Sequence, residues 1–198
     1  MRRIAAIAYL GAALGYGCAA PPSHFYTLSR DTATPAATSP ASLAEVSVVV
    51  GPVSIPTIVD VPQIVVSTSP NEVTLDEFNR WASPLQNNIS NVVVENLAIM
   101  LGTQRVSQFQ QSLSASADYR VAIEVQGFES APGDAATLNA AWIVRRTRDG
   151  KTQTGRTTVR EPTQDKSYGA LAAAHSRALA RLCQDVADAV RLLDRAPR

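Results

Sequence analysis

The sequence predicts a single α/β domain in which a mixed β-sheet carries two long amphipathic helices. Apolar residues recur at helical spacing between residues 83 and 102 and again between residues 168 and 193. Short β-branched runs in the first half, and an alternation of apolar and polar residues between 119 and 160, indicate strands. The order of the strands in the sheet does not follow from these patterns.

The first 17 residues predict an export signal. Arg2 and Arg3 form a short positive segment, residues 4–14 are uncharged and mostly apolar, and small residues follow. This order is typical of secretory signal peptides. The apolar run is shorter than the ~20 residues that a helix needs to cross a bilayer. A retained N-terminal anchor or a buried core helix is the alternative.

A cysteine follows this segment directly. The arrangement resembles the bacterial lipobox, in which the thiol of the first mature residue is acylated. We therefore expect the mature chain to begin at Cys18, with residues 18–23 as a lipidated tether on the periplasmic side of a membrane. Each buried CH₂ of an acyl chain contributes ~0.8 kcal/mol, so two or three chains anchor firmly. With no acidic residue after Cys18, the resemblance favours the outer membrane over the inner membrane.

Residues 24–195 have the size of one domain that can bury a core. The segment HFYTL, beginning at His24, predicts an edge strand. Residues 29–44 are rich in Ala, Thr, Ser and Pro, and predict a flexible loop. If HFYTL pairs into the sheet, only residues 19–23 separate Cys18 from the domain, which then lies close to its membrane.

The first half predicts short strands and one helix. Ser83 is expected to cap that helix, with Pro84 at its first position, Gln86 completing a capping box and Gly102 ending it. The preceding chain predicts strands at 46–50 and 64–66, an irregular segment or edge element at 53–61, a turn at 70–71 and a short extended piece at 73–75.

The second half predicts an antiparallel meander followed by a helix. Alternating apolar residues run through 119–128 and 137–146, and Asp149-Gly150 is a hairpin turn signal that leads into a third strand. The last helix, at about 168–193, has an apolar stripe supported by many alanines. We expect it to pack on the sheet beside the first helix.

Composition excludes several classes of function. The formal net charge is +1, so the chain has no basic field for nucleic acid. His24 and His175 are the only histidines, and His175 is expected to be a satisfied residue at the surface or core edge. His175 and Cys183 are eight residues apart, about 12 Å along a helix, which is too far for a catalytic dyad. They are also too few for a zinc site.

No phosphate-binding loop, dinucleotide fingerprint or nucleophile elbow occurs in the sequence. We therefore predict no catalytic residue, no cofactor and no metal, and expect that the protein is not an enzyme. If Cys18 carries lipid, Cys183 is a lone thiol. A Cys18–Cys183 disulfide is the alternative in an oxidising compartment.

Three short motifs in order resemble those of the ABC-type transport auxiliary lipoproteins. They are Gly-Pro-Val at 51–53, Pro-Gln-Ile-Val at 62–65, and Arg-Trp-Ala-x-Pro-Leu at 80–85. The lipobox cysteine, the aromatic HFYTL strand and the alanine-rich last helix also fit the layout of that family. The resemblance covers nearly all of the mature chain.

The resemblance implies an accessory docking subunit of an MCE-type ABC transport system, which moves phospholipid or other hydrophobic molecules between inner and outer membranes. The implied partners are a periplasmic MCE-domain protein and its transporter complex, and homo-oligomers are compatible with it. A pilotin-like assembly lipoprotein of another outer-membrane complex, or a periplasmic lipid carrier, is the alternative.

Arg80, Trp81 and Pro84 form the candidate contact motif. A tryptophan just before a helix start is more often a core plug or staple than a partner contact. Arg80 could pair with a nearby carboxylate to hold the chain at the start of the helix.

Overall fold

The computed structural model describes residues 21–31, 43–109 and 116–196. The predicted signal peptide, Cys18 and most of the predicted loop at 29–44 lie outside these ranges. Within them the chain forms eight strands and two long helices. These are β1 (His24–Tyr26), β2 (Val48–Ser54), β3 (Gln63–Ser69), β4 (Glu72–Trp81), α1 (Leu85–Leu101), β5 (Val106–Gln108), β6 (Tyr119–Ala131), β7 (Ala135–Arg146), β8 (Thr152–Pro162) and α2 (Tyr168–Arg195).

The α/β class with two long helices is confirmed, and the strands divide between two mixed sheets. The smaller sheet has the order β1-β4-β3, with β1 parallel and β3 antiparallel to β4. The larger sheet has the order β5-β2-β6-β7-β8, with β2 parallel to β5 and β6. The strands β6, β7 and β8 form the predicted antiparallel meander, and Gly150 in the hairpin turn has a φ of 71°.

Both helices pack on one face of the larger sheet and against each other, α1 over β2 and β5 and α2 over β7 and β8. The alternation in β6 places Val121, Ile123 and Val125 in the core, as predicted. The register of β6 with β7 then shifts between Val125 and Gly127, so Phe128 and Ser130 become the buried positions.

The start of α1 differs from the prediction. Pro84 is the N-cap residue, and no side chain caps the helix. The side-chain amide of Gln86 instead donates to the carbonyl of Val53, 2.5 Å away, and so ties α1 to the end of β2. The predicted end is confirmed, because Gly102 is the left-handed C-cap residue with a φ of 67°.

Several strands are longer than their patterns predict, and β2 and β4 show the reason. β2 continues through Gly51, whose φ is 138° and where a Cβ would lie 2.7 Å from Phe109 Cβ, so only glycine fits. β4 extends to Trp81, although Asp76 accepts hydrogen bonds from the backbone amides of Phe78 and Asn79. This local turn interrupts the alternation, which explains why the pattern shows only the first part of the strand.

The segment after β1 is part of the domain. β1 is an edge strand, as predicted, and residues 27–31, which we call the N-terminal strap, cross the two helices. In the strap, Leu28 is buried, the amide of Ser29 donates to Ser176 Oγ at 3.1 Å, and the amide of Asp31 donates to Asn96 Oδ1 at 3.3 Å. These contacts fix the N-terminal end of the domain on the outer side of its helices.

Candidate docking site

The Arg80–Leu85 motif forms the junction between β4 and α1. The amide of Trp81 donates to the carbonyl of Pro62 at 2.8 Å, and the amide of Ala82 donates to the carbonyl of Tyr26 at 2.8 Å. The motif therefore holds β1 and the start of β3 together at one end of the smaller sheet. Pro84 supplies the extended N-cap conformation from which α1 begins.

Trp81 and Arg80 point to opposite faces of the sheet. Trp81 is only 6% exposed and belongs to the core. Arg80 is partly exposed, and its Nε donates to the carbonyl of Glu77 at 3.0 Å while its guanidinium lies 4.0 Å from the Glu77 carboxylate. The Trp81 side chain thus packs in the core at this junction, and Arg80 pairs with a carboxylate of its own strand.

An open groove of about 360 Å³ lies beside this junction. Its walls combine the motif with the chain that leads into β3. The lining residues are Asp60, Val61, Pro62, Trp81, Ala82, Ser83, Pro84 and Leu85. Apolar side chains and two prolines dominate it, so it has the shape and polarity to receive an apolar side chain of a partner.

Trp81 lines this groove and also belongs to an aromatic cluster in the core. Its ring meets Phe128 edge-on, with centroids 6.3 Å apart, and His175 edge-on at 6.4 Å. Phe128 and His175 are stacked at 3.8 Å with an interplanar angle of 8°. Offset and edge-to-face contacts of this kind favour a rigid arrangement of the rings.

His175 is fully buried, so the expectation of a surface or core-edge residue is wrong. Its Nε2 lies 2.8 Å from Ser130 Oγ, while Nδ1 has no hydrogen-bond partner among the described residues. Burial lowers the pKa of His175 to about 3, so the ring is neutral. Both side chains of this Ser–His pair are inaccessible to solvent and no group orients Nδ1, so the geometry is that of a packed core residue.

No signal in the sequence marks Phe128 and Ser130 as neighbours of His175. The bulge in β6 brings them to the inner face, and bulges are not visible in an apolar–polar pattern. His24, the second histidine, is exposed on β1 and lies on a different element.

Asp76 joins the smaller sheet to the start of α2. Its Oδ2 accepts a hydrogen bond from the Tyr168 hydroxyl at 2.7 Å. Partial burial alone would raise the pKa of Asp76, but the hydrogen bonds from Tyr168 and from the Phe78 amide outweigh it and lower the pKa below its ordinary value. Burial and the Asp76 carboxylate raise the pKa of Tyr168. The pair is therefore a structural link at neutral pH.

Cys183 is a free, fully buried thiol on α2, with Sγ 4.0 Å from the carbonyl of Val93. Burial raises its pKa to about 12, which makes it inert. The ranges that the structure describes contain no group of three or more His, Cys, Asp or Glu side chains able to hold a metal ion. Neither of the two described helices combines the length and the apolar character that crossing a bilayer requires.

Comparison with known proteins places this domain in a family. The family model of the ABC-type transport auxiliary lipoprotein component matches residues 26–187. No curated protein matches the sequence. A crystal structure of an uncharacterized protein superposes with a TM-score of 0.69 at 18% identity, covering 86% of this chain and 99% of that chain.

A second crystal structure, of protein XCC0632 from Xanthomonas campestris, superposes with a TM-score of 0.66 at 21% identity and covers 87% of this chain and 98% of that chain. These two likenesses show a shared fold. The family match covers most of the chain, from Tyr26, the last residue of β1, into α2. The protein therefore belongs to the family of ABC-type transport auxiliary lipoprotein components, which indicates a membrane-anchored place in the cell envelope and association with a transporter.

Proposed function

We propose that this protein is a lipid-anchored docking subunit of an MCE-type ABC transport system that moves phospholipid or other hydrophobic molecules between the inner and outer membranes. The observation that carries the proposal is the family match over residues 26–187 in a domain whose first strand begins at His24. The role requires a rigid body held near a membrane and needs no catalytic step.

The anchor in this proposal is the acylated thiol of Cys18, with the outer membrane favoured. Five residues, 19–23, separate Cys18 from the paired His24, so the six Cα–Cα steps between them can span at most about 20 Å. Since β1 and the strap are held in the domain, the tether cannot lengthen without breaking their hydrogen bonds. The domain is thus expected to stay within this distance of the bilayer surface.

Replacing the anchor tests the location. In the Cys18→Ala variant we expect a folded domain in the soluble periplasmic fraction instead of the membrane fraction, because the strands and helices of the described domain begin at His24. Cys183→Ala is the matched control and should remain with the membranes. A signal-cleaved Cys18→Ala protein that still sediments with membranes would contradict the lipid anchor.

Affinity isolation from detergent-solubilised envelopes tests the partner. The tagged full-length protein should retain the MCE-domain protein and its transporter subunits. Isolation of an outer-membrane channel instead would support the pilotin-like alternative. Stoichiometric lipid in the purified Cys18→Ala domain, with no transporter subunit, would support the carrier alternative. Either of these results would overturn the proposed role.

A further inference from the structure

The larger sheet has a second face that the helices do not cover, and we call it the helix-free face. Trp142 lies on the helix side, since its Nε1 donates to Thr157 Oγ1 at 3.1 Å and Thr157 donates to Asp185 of α2 at 2.5 Å. Neighbouring side chains in a strand point to opposite faces. The helix-free face therefore carries Arg120, Ala122, Glu124, Ala141, Ile143, Arg145, Thr152, Thr154 and Arg156, all of them exposed or half-buried.

Arginine dominates the charge of this face. Arg120 on β6 and Arg145 on β7 are directly opposite each other in the register, an arrangement that like charges disfavour. Arg145 and Arg156 have no carboxylate within ion-pair distance among the described residues, and Arg156 contacts only the side-chain oxygen of Asn139, at 3.4 Å. The helix-free face also carries two carboxylates, Glu124 and, beyond the bulge in β6, Glu129, which is opposite Thr137 in the register. The face thus offers positive charge to an anionic partner.

An apolar dent lies between these arginines. Small residues form its floor, because Ala122 is opposite Ile143 and Ala141 is opposite Glu124 in the register. Ile143 is 38% exposed, and Pro52 of β2 and the carboxylate-bearing Glu124 of β6 also line the dent. The volume of about 450 Å³ is sufficient for a large apolar side chain. An apolar centre with a charged surround is the usual anatomy of a protein interface.

The position of the N-terminal strap determines how the helix-free face is oriented relative to the anchoring membrane. The strap contacts Asn96 on α1 and Ser176 on α2. The helices lie between the strap and the sheet, so the anchored end of the chain and the helix-free face are on opposite sides of the domain. With the tether to Cys18 limited to about 20 Å, the helix-free face is directed away from the anchoring membrane.

We propose that the helix-free face docks an acidic surface of a periplasmic protein, which inserts an apolar side chain into the dent beside Ile143. The inference deepens the proposed function, because the direction of the face rests on the lipid anchor. A bilayer is a poor occupant, since the anchor lies on the other side. A second copy is also a poor occupant, since a two-fold pairing of helix-free faces would place two arginine-bearing surfaces against each other.

Site-specific photocrosslinking of the full-length protein in living cells tests the surface. A photoreactive amino acid is placed at position 143 in one strain and at position 192 in the control strain. Leu192 is 57% exposed on α2, on the helix side. We expect an adduct with one identified acidic periplasmic protein from position 143 and at least tenfold less of it from position 192.

The same experiment in the double variant Arg145→Glu, Arg156→Glu tests the charges. Both side chains are exposed, so the thermal unfolding midpoint should be unchanged while the adduct falls at least tenfold. The double variant Arg181→Glu, Arg195→Glu reverses two exposed arginines of α2 instead, so it is charge-matched and should keep the adduct. An adduct that survives the double reversal would overturn the electrostatic part of the proposal.

The identity of the adduct separates this inference from the proposed function. Capture of the MCE-domain protein supports both. Capture of a different acidic periplasmic protein supports the helix-free face as a docking surface and overturns the MCE assignment. Adducts only with lipid, only with a second copy, or equally from both positions would overturn the inference, whatever the affinity isolation shows.

Discussion

His175 Nε2 lies 2.8 Å from Ser130 Oγ in the interior of the domain, and this contact joins α2 to β6. The imidazole is also stacked on Phe128 and meets Trp81 edge-on. A single neutral histidine thus connects the last helix, the larger sheet and the motif at the start of α1. Its protonation would place an uncompensated charge in the core.

The stability of the fold is expected to fall on mild acidification. Burial lowers the pKa of His175 to about 3, below the ~6.5 of an unfolded histidine. In this pH range His175 is protonated in the unfolded chain but not in the folded chain. The free energy of unfolding therefore decreases as the pH falls from about 6.5 towards about 3. Between pH 7 and pH 5 we expect a loss of about 2 kcal/mol in the free energy of unfolding, measured by chemical denaturation.

The His175→Gln variant separates this effect from that of the carboxylates. Gln can still bond Ser130 but does not titrate, so the loss between pH 7 and pH 5 should shrink to a fraction of that in the parent protein. Carboxylates with lowered pKa values, such as Asp76, contribute mainly below pH 4. Equal slopes in variant and parent between pH 7 and pH 5 would show that His175 is not the group responsible.

Trp81 is expected to act through folding. Trp81→Ala removes a buried ring from the core and should cost about 3–5 kcal/mol of unfolding free energy. Trp81→Phe keeps the edge contacts and should cost less. Arg80→Ala on the opposite face of the strand should change stability by no more than about 0.5 kcal/mol. A Trp81→Ala protein of unchanged stability, with impaired partner binding, would reverse this assignment.

Gly155 leaves room for the Trp142 indole. A Cβ on Gly155 would overlap the six-membered ring of Trp142, with Cη2 at 2.6 Å. Gly155→Ala should displace the indole from Thr157, lower stability by about 1–3 kcal/mol, and change the tryptophan fluorescence of the folded protein.

Gly169→Ala provides the matched control for Gly155→Ala. Gly169 is helical, and a Cβ there would find only Ser167 Oγ at 3.9 Å, so stability should be unchanged or rise by up to about 1 kcal/mol. If both glycine variants behaved alike, the close approach of Trp142 would not be what requires glycine at 155.

Cys183 is expected to resist alkylation in the folded protein. The thiol is fully buried, and its pKa of about 12 leaves almost no thiolate at pH 8. Mass spectrometry of the Cys18→Ala protein should show no addition of iodoacetamide over hours, and complete addition after denaturation. Rapid modification under native conditions would indicate that the α1–α2 contact around Cys183 opens frequently.

The periodic elements were predictable because their signals are local. α2 has an apolar face over its whole length, β6 alternates up to its bulge, and buried and less buried positions alternate in β7 from Thr137 onward. Asp149-Gly150 and Gly102 require backbone conformations that few residues adopt, so their positions identify a turn and a helix end. The motif order from Gly51 to Leu85 was sufficient for the family.

The misassigned features depend on contacts between distant residues. Gln86 was expected to cap its own helix but bonds Val53, and nothing in the local sequence distinguishes the two partners. The bulge in β6 changes which residues face inward, so Ser130 reaches His175 although they are 45 residues apart. The interrupted part of β4 is held by Asp76 and by its bond to Tyr168, 92 residues away.

The sequence by itself determined the fold class, the two helices, the meander, the family and the expected anchor, because each depends on patterns among residues that are close together in the sequence. Only the tertiary structure decided that the strands form two sheets, that His175 is a core residue, and that the N-terminal strap and the helix-free face lie on opposite sides. These relations arise from packing, in which the burial of apolar surface selects partners without regard to their separation along the chain.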